Sequence, residues 1–159
     1  IKGGVIGGKK QRGKYKIDAR FNKDDLIARI EKIARYKNRI LISNQDGIEF
    51  VKKLDRRKKD IFIYLDPPYY QKGAGLYMNA YTEQDHEKLS LYVHKMKKRW
   101  MISYDNHDFI LNLYQNSPKL LYKLSQSASN RVGDEVFVFS KQLSFLDSIT
   151  KLKSPLLIS

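Results

Sequence analysis

The hydrophobic positions of this chain change period repeatedly, and each change predicts an element. Residues 1–14 have no apolar period. Gly3, Gly4, Gly7, Gly8 and Gly13 lie among Lys9, Lys10, Arg12 and Lys14, which predicts an exposed loop. Residues 15–21 read as a short strand. Asp24 and Asp25 then open a helix. Leu26, Ile27, Ile30, Ile33 and Ala34 form its apolar face, with Arg29, Lys32 and Arg35 opposite. Residues 39–43 (RILIS) predict a buried strand, and residues 47–54 a short helix behind Asp46. Residues 52–59 read as a charged connector.

The clearest strand is IFIYL at 61–65, β-branched and aromatic throughout, as expected when both faces are covered. It runs into Asp66-Pro67-Pro68-Tyr69. Proline lacks an N–H and disfavours helix at the residue before it, so strand pairing must stop there. A Gly/Tyr-rich loop follows at 70–81. Thr82 then caps a helix with Leu89, Tyr92, Val93 and Met96 on one face. Residues 100–103, 120–124 and 135–139 predict strands, and residues 108–114 a short helix. The segment after Lys141 is weakly patterned and reads as peripheral. Alternating strands and helices imply a mostly parallel α/β sheet, ending in an antiparallel pair after residue 118. Ligands of such sheets bind beyond the carboxyl ends of the strands, where Asp66 stands.

Charge adds a second feature. The 159 residues carry 31 Lys and Arg against 17 Asp and Glu, a net of +14. Residues 1–60 hold 19 basic and 8 acidic side chains, a net of +11, and residues 61–159 hold 12 and 9, a net of +3. A polyanion-binding surface beside a balanced remainder accounts for that asymmetry. With no cysteine, a disulfide scaffold, a cysteine-ligated zinc or iron–sulfur site and a cysteine nucleophile are excluded. The scattered His86, His94 and His107 offer little to a metal. No apolar run approaches the ~20 residues of a membrane span. Gly3 to Lys9 fits the spacing of a phosphate-binding loop. Lys10 stands where that loop needs Ser or Thr, and no strand precedes it.

Asp66-Pro67-Pro68-Tyr69 carries the chemistry. The strand fixes Asp66 at the sheet edge, and the prolines stiffen the turn. The Asp66 carboxylate and the Pro67 carbonyl are two acceptors beside the flat face of Tyr69. An exocyclic amino group has two donors and belongs to a flat ring, so it suits this arrangement. Tyr70, Lys72, Tyr77 and Tyr81 in the following loop fit either base contacts or loop packing. Lys9, Lys10, Arg12, Lys14 and Lys16 are the candidate phosphate contacts. Lys97-Lys98-Arg99 reads as the cationic end of a helix, and His107 as a surface residue.

At these residues the chain resembles the DNA adenine methylase family, S-adenosyl-L-methionine-dependent enzymes that methylate adenine N6 through an Asp-Pro-Pro-Tyr motif. The resemblance extends in order through KIDARFNK (16–23), ISNQDG (42–47), ISYDNHD (102–108), and a late segment with Arg131, Asp134 and Glu135. It implies a Rossmann-like methyltransferase sheet, with adenine rotated out of double-stranded DNA and stacked on Tyr69. Asp66 and Pro67 would accept from its amino group, Asp46 and Asp66 would face the cofactor, and no metal takes part. Tyr70 and Arg131 join the DNA-contacting residues. For Asp46, a plain helix-capping role stays equally open. The resemblance divides the chain into a DNA-contacting, target-recognition region (1–38), a catalytic part (39–141) and a peripheral tail (142–159). It implies action in the bacterial cytoplasm, at the nucleoid.

The family's Phe-x-Gly-x-Gly cofactor segment is not in this sequence. A seven-stranded methyltransferase sheet also needs about 200 residues at ~30 per βα unit. The expectation is therefore a carboxyl-terminal part, with its sheet incomplete at the N-terminus and an N-terminal methyltransferase segment as missing partner. Two other readings stay open: an inactive DNA-binding remnant, and an amino-methyltransferase acting on RNA.

Overall fold

A computed structural model describes residues 5–71, 73, 80–126, 131–151 and 155–158. It divides into two compact units, residues 1–44 and 45–159.

The first unit holds helix α1 (Lys23–Ala34), capped by Asn22 through the Asp25 amide, and a 3₁₀ turn at Lys37–Arg39. Ahead of α1 the chain is a tight loop. Gly7 and Gly8 have φ of +83° and +74°, and a Cβ on Gly7 would lie 2.7 Å from the Tyr15 carbonyl. The Gln11 side chain donates to the Ile6 and Gly8 carbonyls and accepts from the Ile17 amide at 2.7 Å. The strand expected at 15–21 is absent, because its backbone is satisfied locally. Ala19 N donates to Lys16 O and Phe21 N to Asp18 O, both closing turns. The strand expected at 39–43 is also absent. Leu41 and Ile42 are 86% and 87% exposed. An apolar run makes a strand only beside an edge to pair with, and the described residues of this unit contain none.

The second unit contains α2 (Gly47–Asp55), β1 (Phe62–Leu65), α3 (Glu83–Lys95), β2 (Arg99–Asp105), α4 (Asp108–Leu113), β3 (Lys119–Gln126), β4 (Arg131–Phe139), a 3₁₀ turn (Leu146–Lys151) and β5 (Leu156–Ile158). Thr82 caps α3, as the sequence predicts, and Asp85 closes a capping box with it; Asp46 caps α2, one of the two roles the sequence left open. The five strands are ordered β1-β2-β4-β3-β5.

Among the described residues only β1 and β2 pair in parallel, and the other three pairings are antiparallel. The mostly parallel sheet is thus corrected. Being antiparallel to a common neighbour, β2 and β3 run in the same direction, as strand–helix–strand alternation requires. However, β4 inserts between them and reverses both contacts. The segment 142–159, read as a tail, supplies β5, which extends the sheet beyond β3.

One sheet face is covered by helices. Ile63, Trp100, Ile102, Tyr104, Val136 and Val138 pack there with Val51 of α2, Leu89 and Val93 of α3, and Ile110 of α4. The other face carries Tyr64, Met101, Ser103, Asp105, Glu135 and Phe137, following the period of two. In β1, Phe62 and Tyr64 are about half exposed while Ile63 is buried, so this strand is covered on one face, not two.

Two buried polar groups hold the helical layer. Lys119 is 4% exposed, and its Nζ donates to the Tyr114, Gln115 and Ser117 carbonyls, closing the chain end of α4. Burial lowers its pKa from the usual 10.5. His86 is fully buried, with Nδ1 3.0 Å from the Tyr104 hydroxyl, and burial lowers its pKa below 6.5. Lys119→Met strands those carbonyls and should destabilise the protein by about 2 kcal/mol in urea unfolding. Because the unfolded state protonates His86 at higher pH than the folded state does, stability should fall as pH drops below 6.5. His86→Phe should flatten that slope in thermal melts across this interval.

Candidate active site

The parallel strands β1 and β2 both finish in polar residues, with β2 running three residues past the end of β1. Asp66 follows β1 directly, while β2 closes on Ser103, Tyr104 and Asp105. Residues two apart on a strand share a face, so Ser103 and Asp105 lie together beneath the turn.

Ser103 sets the catalytic candidate. Its Oγ donates to Asp66 Oδ1 at 2.8 Å and lies 2.9 Å from the Tyr64 hydroxyl. A serine has one proton to give, and a carboxylate only accepts, so Tyr64 is the donor to Ser103. The relay Tyr64 to Ser103 to Asp66 fixes one carboxylate oxygen of a residue that is otherwise exposed. Pro67 behind it is buried, and Pro68 and Tyr69 are partly buried.

Asp105 sets the backbone. It is 3% exposed, and its two oxygens accept from the amides of Tyr70 at 2.9 Å and Gln71 at 2.8 Å. Those residues begin a helical turn, and the Gly73 amide returns to the Tyr69 carbonyl at 2.8 Å. A carboxylate over the first amides of a turn is an N-terminal cap supplied from another strand.

Glu135 of β4 completes the set. Across the ladder it stands opposite Asp105 on one side and Tyr122 on the other. Its Oε2 accepts from the Tyr69 hydroxyl at 2.9 Å and the Tyr122 hydroxyl at 2.8 Å. Burial, and then the bond to Glu135, push both phenols above the ordinary tyrosine range, so both stay protonated donors.

Asp66, Pro67, Pro68 and Tyr69 therefore stand together where the sequence places them. Asp46 sits at the first turn of α2, and its Oδ1 accepts from the Glu49 amide at 2.9 Å. Its charge helps raise the pKa of Tyr81, after the larger effect of burial. Tyr70 is engaged within the protein. Its ring stacks on Phe109 at 4.8 Å and lies 4.5 Å from His107, and its hydroxyl donates to Glu83. Lys9, Lys10, Arg12, Lys14 and Lys16 are exposed and belong to the first unit, where Lys16 donates to the Gln11 carbonyl. Arg131 opens β4 opposite Gln126. Lys72 and Tyr77 lie outside the described residues.

Ser103, Asp105 and Glu135 were no part of the site read from the sequence, although all three fall in segments that carried the resemblance. Their signal is the spacing of two on one strand, which puts Ser103 and Asp105 on one face. Nothing local points to Glu135.

The site combines an exposed carboxylate, a stiff Pro-Pro turn and an aromatic ring, each held from behind. Compared with curated proteins, the chain has no significant match. The model of the D12 class N6 adenine-specific DNA methyltransferase family matches residues 8–129, a span running from the basic loop through β1 and β2 into β3. On that match over most of its length, the chain belongs to the D12 class N6 adenine-specific DNA methyltransferases, a family that acts on adenine in DNA.

Proposed function

We propose that this chain transfers a methyl group from S-adenosyl-L-methionine to N6 of adenine at a specific site in double-stranded DNA, in the cytoplasm. The observation that carries this reading is Asp66, exposed at the end of β1 and aligned by Ser103.

The target adenine leaves the base stack, because its amino group is out of reach inside the duplex. Tyr69 offers the ring on which it stacks. The Asp66 carboxylate and the Pro67 carbonyl accept from the amino group. They localise the nitrogen lone pair and favour the positive charge that grows on N6. Ser103 keeps Asp66 in a single orientation, so little reorganisation is needed during reaction. The prolines keep the carbonyl in place with few competing N–H groups nearby.

When bound, the cofactor supplies an electrophilic methyl group on sulfonium. The donor set fits its polar ends: carboxylates suit hydroxyl, amino and ammonium groups, and Asp46 and Asp66 are both exposed. Asp46 and Asp66 would hold it. Lys9, Lys10, Arg12, Lys14 and Lys16 meet phosphates and Arg131 joins the DNA contacts, while Tyr70, engaged with Phe109, His107 and Glu83, serves the protein's own packing.

Incubation with tritiated cofactor and unmethylated duplex DNA should give labelled N6-methyladenine. Asp66→Ala should reduce the rate by about 10²-fold or more, and Ser103→Ala by about tenfold, with unchanged melting profiles. Label in RNA but not DNA, or full activity in Asp66→Ala, would sink this reading. Each Lys→Ala change at Lys9 or Lys10 should weaken DNA binding at all sequences alike. Each should also reduce the slope of log affinity against log salt by about 0.9, measured by fluorescence anisotropy.

A further inference from the structure

We propose that Glu135 is a positioning residue for this reaction: its carboxylate pins the Tyr69 ring by the hydroxyl, with Tyr122 as the strut that holds the carboxylate. The proposal rests on the methyl-transfer reading and deepens it. Glu135 also lies beyond the span matched by the family model.

Glu135 is 7% exposed, and one oxygen, Oε2, receives both phenols. A carboxylate oxygen has two lone-pair directions, so the two donors fill it and fix its orientation. Tyr122 is itself immobilised. It is 7% exposed, and its ring stacks on Phe137 at 4.2 Å and 11°. Position therefore passes from the β3–β4 ladder through Tyr122 and Glu135 to the far end of Tyr69.

The near end is held as well. Tyr69 follows Pro68 and precedes Tyr70, whose amide is bound by Asp105. A ring held at both its Cβ and its hydroxyl cannot swing about χ1, and because a phenol O–H lies in the ring plane, the bond to Glu135 also favours the ring plane that contains Oε2. A ring held only at Cβ swings about two torsions. A stacking platform works by orientation, and a misplacement of about 1 Å can cost about 10²-fold in rate. The competing account is that the phenols merely satisfy a buried acid. It predicts lost stability without a specific loss of turnover.

The test uses the full chain, tritiated S-adenosylmethionine and unmethylated duplex DNA, with tyrosine-¹³C NMR of the free protein and thermal melts. Glu135→Met and Tyr69→Phe should each lower kcat by about tenfold, with KM for cofactor changed less than about threefold. The double variant should be no slower than the slower single, because both remove one link. Glu135→Gln keeps a carbonyl acceptor and should recover at least about threefold of the Glu135→Met loss. In the spectra, Glu135→Met should shift the Tyr69 resonance, assigned with Tyr69→Phe. If Glu135→Met fails to fold, Tyr122→Phe replaces it, with the same non-additivity expected against Tyr69→Phe. Multiplying losses, an unmoved Tyr69 resonance, or lower stability at full kcat overturns the clamp. If wild-type protein transfers no methyl group to DNA, the methyl-transfer reading falls and the positioning role with it, even with the Tyr69 resonance shifted.

Discussion

The buried carboxylate of Asp105 is the interaction on which the candidate site depends. Its two bonds to the Tyr70 and Gln71 amides dock the segment after β1 onto the end of β2. Parallel pairing runs from Phe62 opposite Arg99 to Leu65 opposite Ile102, and β2 continues three residues further to Asp105, alongside the segment that follows β1. The prolines at 67 and 68 cannot donate to a ladder, so the chain leaves the sheet there and needs a new acceptor. Asp105 is that acceptor. Without it, two amides at the start of a helical turn would lose their partner, and Asp66 and Tyr69 would sit at the root of a loose loop.

The sheet separates support from chemistry by its period of two. On one face, Ile63, Trp100, Ile102 and Tyr104 pack under the helices. On the other, Tyr64, Ser103, Asp105 and Glu135 hold the Asp-Pro-Pro-Tyr turn. A one-residue slip of β4 against β2 would turn Glu135 to the helical face and Val136 and Val138 away from it. The same strands that build the core therefore fix the alignment of Asp66. Tyr104 shows the division at one residue. It lies between Ser103 and Asp105, yet it points the other way and meets His86.

What the sequence disclosed was local. The helix caps at Asp46 and Thr82, the strand into Asp66 and the grouping of Asp66 with Tyr69 all follow from neighbouring residues. Partners distant in sequence stayed hidden. Asp105 reaches Tyr70 across 35 residues, and Glu135 reaches Tyr69 across 66. No spacing rule joins such positions without the sheet order, and alternation does not reveal that β4 enters between β2 and β3. RILIS misled for a related reason. Its pattern is that of a strand, but pattern states only what a segment can bury, and pairing requires an edge.

Three carboxylates converge on this site, and their surroundings give them different tasks. Asp105 and Glu135 face each other across the β2–β4 ladder, a placement that like charges normally oppose. Donors resolve the conflict: two amides on Asp105 and two phenols on Glu135. Both acids are thereby committed to structure and shielded from solvent. Asp66 receives one hydroxyl and stays exposed, so it is the acid that can meet a substrate. On the proposed reading, this concentration of carboxylates would favour a nitrogen that gains positive charge as it bonds to carbon. The same field opposes phosphate, so a protein with this site must bring its cations from elsewhere. The net of +11 on residues 1–60, against +3 on the remainder, is how this chain distributes them.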